Sequence, residues 1–147
     1  MLKIVTKTFN DLSTQELYDV LQLRSEVFVV EQDCVYQDID NKDQKALHII
    51  GIKNKKVIAY TRVFKPGDYF IYASIGRVVV AKNQREHNYG YDIMIASIQA
   101  IQIHFNESTI KISAQTYLKR FYNNLEFFEV GEEYLEDGIP HTAMIKS

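Results

Sequence analysis

The chain has 147 residues, enough for one domain with a buried core, and its net charge is −2 at pH 7. So small a charge argues against broad electrostatic binding to nucleic acid or to an anionic membrane. The one cysteine excludes an internal disulfide framework and a multi-cysteine zinc site, and no apolar run could span a bilayer or serve as a signal peptide.

These properties predict a cytoplasmic protein with a single domain over residues 1–147. The first elements of that domain are a strand and a helix. Residues 2–9 alternate loosely between apolar and polar side chains, as a half-buried strand does. Ser13 and Glu16 have the spacing of a capping box, so we expect a helix to begin there. Its apolar face is formed by Leu17, Val20, Leu21, Val27 and Phe28.

Two charged residues fall on this apolar face, and an acidic loop follows them. For Arg24 we slightly favour a side chain that reaches the surface over one that points into a cleft. Both interpretations stay open for Glu31. Residues 31–40 are acidic and aromatic and are interpreted as a substrate-side loop, because they lack the tight glycine turn of a calcium loop. Cys34 is read as an inert small hydrophobe in preference to a nucleophile.

The rest of the chain alternates between strands and helices, which indicates a mixed α/β or α+β fold. Gly76 interrupts one predicted strand and suggests a bulge or a close backbone approach there. The predicted strands are residues 48–52, 57–64, 69–80, 110–114, 127–130 and 141–145. The predicted helices are one with Met94, Ile98, Ile101 and Phe105 on its apolar face, and a short one over residues 118–124. Turns are expected at residues 54–56, 66–68 and 136–140.

Residues 77–92 read as a strand, a short polar loop and the start of a helix. The first amides of a helix have no internal partner, and the helix dipole favours negative charge there, so such an element can bind an anion. Arg85 adds a positive charge, and Gly90 allows close approach of the backbone to a ligand. The loop has neither the three glycines of a dinucleotide fingerprint nor the Gly-Lys-Ser/Thr of a P-loop.

The same stretch resembles the acetyl-CoA loop of the GNAT superfamily of N-acetyltransferases. Its Val78-x-Val80 and Arg85-x-x-Asn88-x-Gly90 follow the family pattern of Val-x-Val and Arg/Gln-x-x-Gly-x-Gly/Ala. Asn88 stands where the family has a glycine. Because asparagine is the non-glycine residue that most readily adopts left-handed backbone angles, we expect the turn to be retained.

A second block is similar to the family pattern Asn-x-x-Ala-x-x-x-Tyr followed by Gly-Phe. Tyr122 and Phe127 match it, whereas Gln115, Leu118 and Glu126 replace the Asn, Ala and Gly. Four further segments resemble the ElaA-like branch of GNAT proteins: residues 23–32, 36–40, 75–78 and 134–141. The resemblance covers nearly the whole chain. It implies the GNAT fold, a twisted mixed sheet whose central parallel strands splay apart to admit acetyl-CoA.

The resemblance also implies a set of ligand-binding residues, with acetyl-CoA as co-substrate and no metal. The pantetheine arm would pair with the backbone of Val78 and Val80, and the amides from Arg85 to Gly90 would hold the pyrophosphate. The complete set of expected cofactor contacts is Val78, Val79, Val80, Arg85, Glu86, His87, Asn88, Tyr89, Gly90, Gln115 and Tyr122.

Tyr122 matches the residue that protonates the leaving thiolate in the family, although a merely packed aromatic is the alternative for it. The general base is unassigned: Glu31, His48 and His141 are tentative bases or substrate contacts on chemical grounds alone. The acceptor would be a small-molecule or peptide amine, and the acidic loop favours a cationic one. A non-catalytic acyl-CoA-binding or regulatory module is the alternative function, and a homodimer is left open.

Overall fold

In the computed structural model, which describes residues 2–147, eight strands form one open mixed sheet with helices on both of its faces. The strands are β1 Lys3–Thr8, β2 Leu47–Lys53, β3 Lys56–Phe64, β4 Ala73–Val80, β5 Ile110–Gln115, β6 Phe128–Glu129, β7 Tyr134–Glu136 and β8 Ile139–Lys146. The α-helices are α1 Thr14–Arg24, α2 Tyr89–Phe105 and α3 Lys119–Asn123. The sheet order is β1-β2-β3-β4-β5-β8-β6, and β7 pairs with β8. Within residues 2–147 only β4 and β5 run parallel, so the predicted mixed architecture is confirmed.

Strand alternation divides the core between the two faces of the sheet. Ile49 and Ala59 pack against α2, whereas their neighbours Ile50 and Tyr60 pack against α1. Within residues 2–147, no helix combines the length and the apolar character needed to cross a membrane.

The helix starts follow the sequence signals. The Ser13 hydroxyl accepts from the Glu16 amide at 3.0 Å, and the Glu16 carboxylate accepts from the Ser13 amide at 2.8 Å, so the predicted capping box is present. A π-helical segment, Ser25–Glu31, continues α1 without a break. It carries the chain one and a half turns further and brings Glu31 to the edge of the sheet.

Two strand predictions were wrong in their bounds. The strand predicted from residue 69 begins at Ala73, because Tyr69 turns back and stacks on Phe64 with ring centroids 5.2 Å apart. The last strand pair is split: β6 has only two residues, and β7 forms a separate hairpin with β8 through Asp137 and Gly138, both at positive φ.

Candidate active site

A cleft opens where the two parallel strands separate. β4 and β5 are paired only at Ala73–Ile110 and Ser74–Lys111, and beyond these residues the strands diverge. The space between them has a volume of about 530 Å³ and is lined by both strands, by the loop before α2 and by α3. The rest of β4 therefore presents an edge toward the cleft that β5 does not cover, as the resemblance predicted.

A bulge in β4 sets which side chains face the cleft. Arg77 and Val78 together oppose Thr61 of β3, and Arg77 has a φ of 50°. The extra residue reverses the alternation of the strand, so Val78 and Val80 turn to the α2 face and Val79 packs on the α1 side. The bulge lies next to Gly76, where the sequence suggested one, but the residue with left-handed backbone angles is Arg77.

The loop between β4 and α2 has the geometry of an anion site. Asn88 lies at φ 63° and ψ 19°, in the left-handed region, as its side chain predicted. The first helical bond runs from the Asp92 amide to the Asn88 carbonyl at 3.2 Å. The preceding amides of Tyr89, Gly90 and Tyr91 have no intrahelical acceptor, and all three residues line the cleft. A Cβ at Gly90 would lie 3.3 Å from the Phe121 ring, so this glycine also permits close packing on α3.

Arg85 of this loop is held by a carboxylate. Its Nη1 and Nη2 donate to Glu31 Oε2 and Oε1 at 2.6 and 2.9 Å, and its Nε donates to the Val80 carbonyl at 3.2 Å. The hydrogen bonds from Arg85 lower the pKa of Glu31, against a smaller opposing effect of burial. Glu31 is therefore an ion-pair partner at the mouth of the cleft.

Three arginines form ion pairs with aspartates in and just after the acidic loop. Arg24 is fully buried and contacts Asp38 and Asp43 at 2.9 and 2.8 Å, so it neither reaches the surface nor lines the cleft. Arg62 makes two hydrogen bonds to Asp40, at 2.7 and 2.8 Å.

These contacts lower the pKa of Asp40 and of Asp43. Burial alone would raise the pKa of Asp40, but the hydrogen bonds and charge of Arg62 outweigh it and lower that pKa to about 2. Arg77 Nε lies 2.7 Å from Asp38 Oδ1, which completes a cluster of three arginines and three aspartates. Because the charges of these aspartates are already balanced, they lend no support to the prediction that the loop attracts a cationic amine.

Tyr122 lies on α3 and lines the cleft, with 5% of its surface exposed. Its ring packs edge-on against Phe121 and Phe127, with centroids 5.0 and 6.2 Å away. Burial raises the pKa of Tyr122, so the hydroxyl keeps its proton at neutral pH. The position of this side chain is thus set by packing.

His141 lies on β8, in the part of the cleft lined by β7, β8 and residues 64–74. Its Nδ1 is 2.7 Å from the Ile139 carbonyl, which can only accept, so Nδ1 carries the proton. In the neutral form of the ring the lone pair would then be on Nε2, which lies 3.5 Å from Glu136 Oε2. Ser113 Oγ donates to Glu136 Oε1 at 3.2 Å and also contacts the Tyr134 hydroxyl.

The remaining predicted residues separate into two groups. Two of them, His48 and His87, are not among the residues that line the cleft. His48 is fully buried, and its ring nitrogens form hydrogen bonds with the Tyr60 hydroxyl and the Asp43 carbonyl. Burial lowers the pKa of His48. The predicted residues that do line the cleft are Glu31, Val78, Val79, Val80, Arg85, Glu86, Asn88, Tyr89, Gly90, Gln115, Tyr122 and His141.

Some cleft residues were missed in the sequence. Glu136 was predicted only as part of a turn. Three further cleft residues were placed in predicted strands without a functional role: Arg62, Tyr69 and Ser74. The alternation of β3 and β4 could have indicated Arg62 and Ser74, since both are polar residues within buried strands.

The sequence and the fold are both similar to those of known proteins. The family model for the acetyltransferase (GNAT) domain matches residues 8–147. The ElaA protein of Escherichia coli K12 is 40% identical over 139 residues, which cover 93% of this chain and 91% of ElaA. The crystal structure of Escherichia coli ElaA superposes with a TM-score of 0.93 at 38% identity, and both chains are fully covered. An acyl-CoA N-acyltransferase from Pseudomonas aeruginosa superposes with a TM-score of 0.94 at 36% identity, again over both whole chains.

Proposed function

Because the chain belongs to the acetyltransferase (GNAT) family and to its ElaA-like branch, we propose that it transfers an acetyl group from acetyl-CoA to a primary amine. Acyl-CoA-dependent transfer is the activity of the family. The acetyl group, the amine acceptor and the roles of individual residues are our proposal. The observation that carries it is the uncovered edge of β4, which begins after Ser74 and leads directly to the anion loop before α2. Residues 1–147 are proposed to act as one domain.

The cleft fits the parts of the co-substrate. The free amides of Tyr89, Gly90 and Tyr91 suit a pyrophosphate, and Arg85 can add its charge once it leaves Glu31. The edge of β4 at Val78 and Val80 suits the amide groups of the pantetheine arm, which would extend the sheet by β-augmentation.

Two side chains are proposed to move the protons. Acetyl-CoA supplies the acetyl group as a thioester, which the amine attacks directly. His141 Nε2 takes a proton from the incoming ammonium, because that nitrogen holds the free lone pair. Tyr122 gives its hydroxyl proton to the departing thiolate and regains one from the amide nitrogen or from solvent. The products are the acetylated amine, the free thiol and one released proton.

An amine panel tests the proposal. The full chain is incubated with acetyl-CoA and primary amines, and thiol release is followed with a thiol-trapping dye alongside calorimetric titration with CoA. We expect CoA binding together with amine-dependent thiol release. Binding of CoA with no thiol release above the rate without amine, for any amine, would contradict catalysis and favour the alternative of a non-catalytic acyl-CoA-binding module.

A further inference from the structure

On the acceptor side of the cleft, which is the part lined by β7, β8 and residues 64–74, Glu136 is a carboxylate that no arginine or lysine of the described chain pairs with. The three aspartates of the loop after α1 are paired with arginines, and Glu31 is paired with Arg85. Within residues 2–147, the polar side-chain contacts of the Glu136 carboxylate are with Ser113 Oγ at 3.2 Å and His141 Nε2 at 3.5 Å. Its side chain is 44% exposed, so a ligand in the cleft can reach it.

Aromatic side chains line the same cleft as this carboxylate. Two of them are Tyr69 and Phe70, and Tyr69 is held by stacking on Phe64 with ring centroids 5.2 Å apart. Burial raises the pKa of Tyr69, and the negative charge of Glu136 raises it further. A cation on Glu136 would therefore have an apolar wall beside it.

A buried hydroxyl provides an independent sign of a ligand. Ser74 is 2% exposed and lines the same cleft, and its Oγ has no hydrogen-bond partner among residues 2–147. Ser74 is paired directly with Phe64, so the two side chains lie on the same face of the sheet as the aromatic wall. An unpaired buried hydroxyl costs free energy, which a polar group of a bound acceptor would recover.

We propose that the acceptor is a protonated primary amine on an apolar stem, whose ammonium group binds Glu136 while its stem lies against Tyr69 and Phe70. This inference rests on the proposed function. It places the ammonium beside His141 Nε2, so one N–H proton passes to that nitrogen and the electron pair left on the amine attacks the thioester carbonyl. An acceptor with a carboxylate next to its amine would bring a second negative charge to Glu136 and is disfavoured.

Three probes with the same carbon chain test this assignment: hexylamine, hexan-1-ol and norleucine. Each is titrated by ligand-observed NMR into the full chain saturated with CoA, which has no acetyl group to transfer. We expect hexylamine to bind about tenfold more tightly than either other probe, as for one charge-assisted contact. In Glu136→Gln this preference should disappear. Glu133→Gln removes an equal charge from an exposed position outside the cleft and should keep it.

The outcomes separate the two proposals. A preference for hexylamine that persists in Glu136→Gln, equal binding of norleucine, or no binding of hexylamine would overturn the assignment of the acceptor. Selective binding that depends on Glu136, without any thiol release from acetyl-CoA, would support the cation site and contradict the transferase. Circular dichroism of Glu136→Gln establishes that the variant is folded.

Discussion

Arg85 and Glu31 are joined by two hydrogen bonds, of 2.6 and 2.9 Å, between the loop before α2 and the end of the π-helical segment that follows α1. The guanidinium proposed to bind the co-substrate's phosphates is thus already bound to a carboxylate of its own chain. The phosphates and Glu31 compete for the same donors, so the pair opposes co-substrate binding while it orders the loop.

Substitution of the two partners is expected to change CoA affinity in opposite directions. Arg85→Gln should weaken CoA binding about tenfold, because a charge-assisted contact to phosphate is lost. Glu31→Gln should tighten it by a few fold, since Arg85 is then free. Calorimetric titration with CoA measures both changes, and Glu26→Gln, an exposed carboxylate of the same helix, is the matched control. Equal weakening in both variants would mean that the pair only holds the loop in place.

The buried ion cluster is expected to support stability more than catalysis. Asp43 contacts Arg24 at 2.8 Å and Arg62 at 3.0 Å, so Asp43→Asn leaves three arginines with two aspartates. Removal of one partner from a buried ion pair costs about 3 kcal/mol of unfolding free energy. Urea denaturation followed by circular dichroism measures the loss. Asp11→Asn, at an exposed position, should change the free energy by less than about 0.5 kcal/mol, and a similarly small effect at Asp43 would contradict the prediction.

The stability of the protein is expected to fall between neutral pH and pH 5 because of His48. Burial lowers the pKa of His48 in the folded state, so in this range the unfolded chain binds more protons than the folded one. Stability is therefore present above the unfolded pKa of about 6.5 and decreases as the pH falls toward the folded value, by on the order of 1 kcal/mol.

Urea midpoints at pH 7.5 and pH 5 measure this dependence. The His48→Gln variant should be less stable than wild type at both pH values, but its urea midpoint should differ much less between the two. His104→Gln, which removes an exposed histidine of α2, should keep the wild-type difference. An unchanged difference in His48→Gln would assign the pH dependence to other groups.

Much of the fold followed from local signals. The capping box at Ser13, the turn before α2 and the apolar face of α2 each depend on residues close together in the chain, where propensity and hydrogen bonding decide the outcome. Asn88 is the clearest case, since a side chain tolerant of left-handed angles stands where such angles occur.

The ion cluster and the acceptor side of the cleft depend on contacts between distant residues. Arg24 reaches Asp43 across nineteen positions, and Ser113 reaches Glu136 across twenty-three, so no local pattern indicates either pair. The bulge at Arg77 is a second example. Its left-handed backbone is unfavourable for arginine by itself, and contacts with Asp38 and Asp40 in another part of the chain accompany it.

The backbone of Asn88 is expected to control CoA binding through the loop. Asn88→Gly should bind CoA within about twofold of wild type, because glycine adopts the same angles freely. Asn88→Val should bind at least about tenfold more weakly, since a β-branched residue at φ 63° costs 1–2 kcal/mol or more. Calorimetric titration measures both. Asn83→Val, in the same loop but at negative φ, is the control, and equal weakening in this variant would show that the effect is general to the loop.

Tyr122→Phe is expected to separate chemistry from binding. The ring would keep its packing on Phe121 and Phe127, so the affinity for CoA should stay within about twofold. Loss of the hydroxyl removes the proposed donor to the thiolate, and kcat should fall by about 10²–10⁴-fold. An acetyl thioester of a more acidic thiol, such as thiophenol, needs no proton to leave, so the defect should shrink with that donor. Tyr117→Phe, at a largely exposed tyrosine of the same cleft, should retain near wild-type kcat. A kcat near wild type in Tyr122→Phe, or an equal defect with both donors, would remove Tyr122 from the role of general acid.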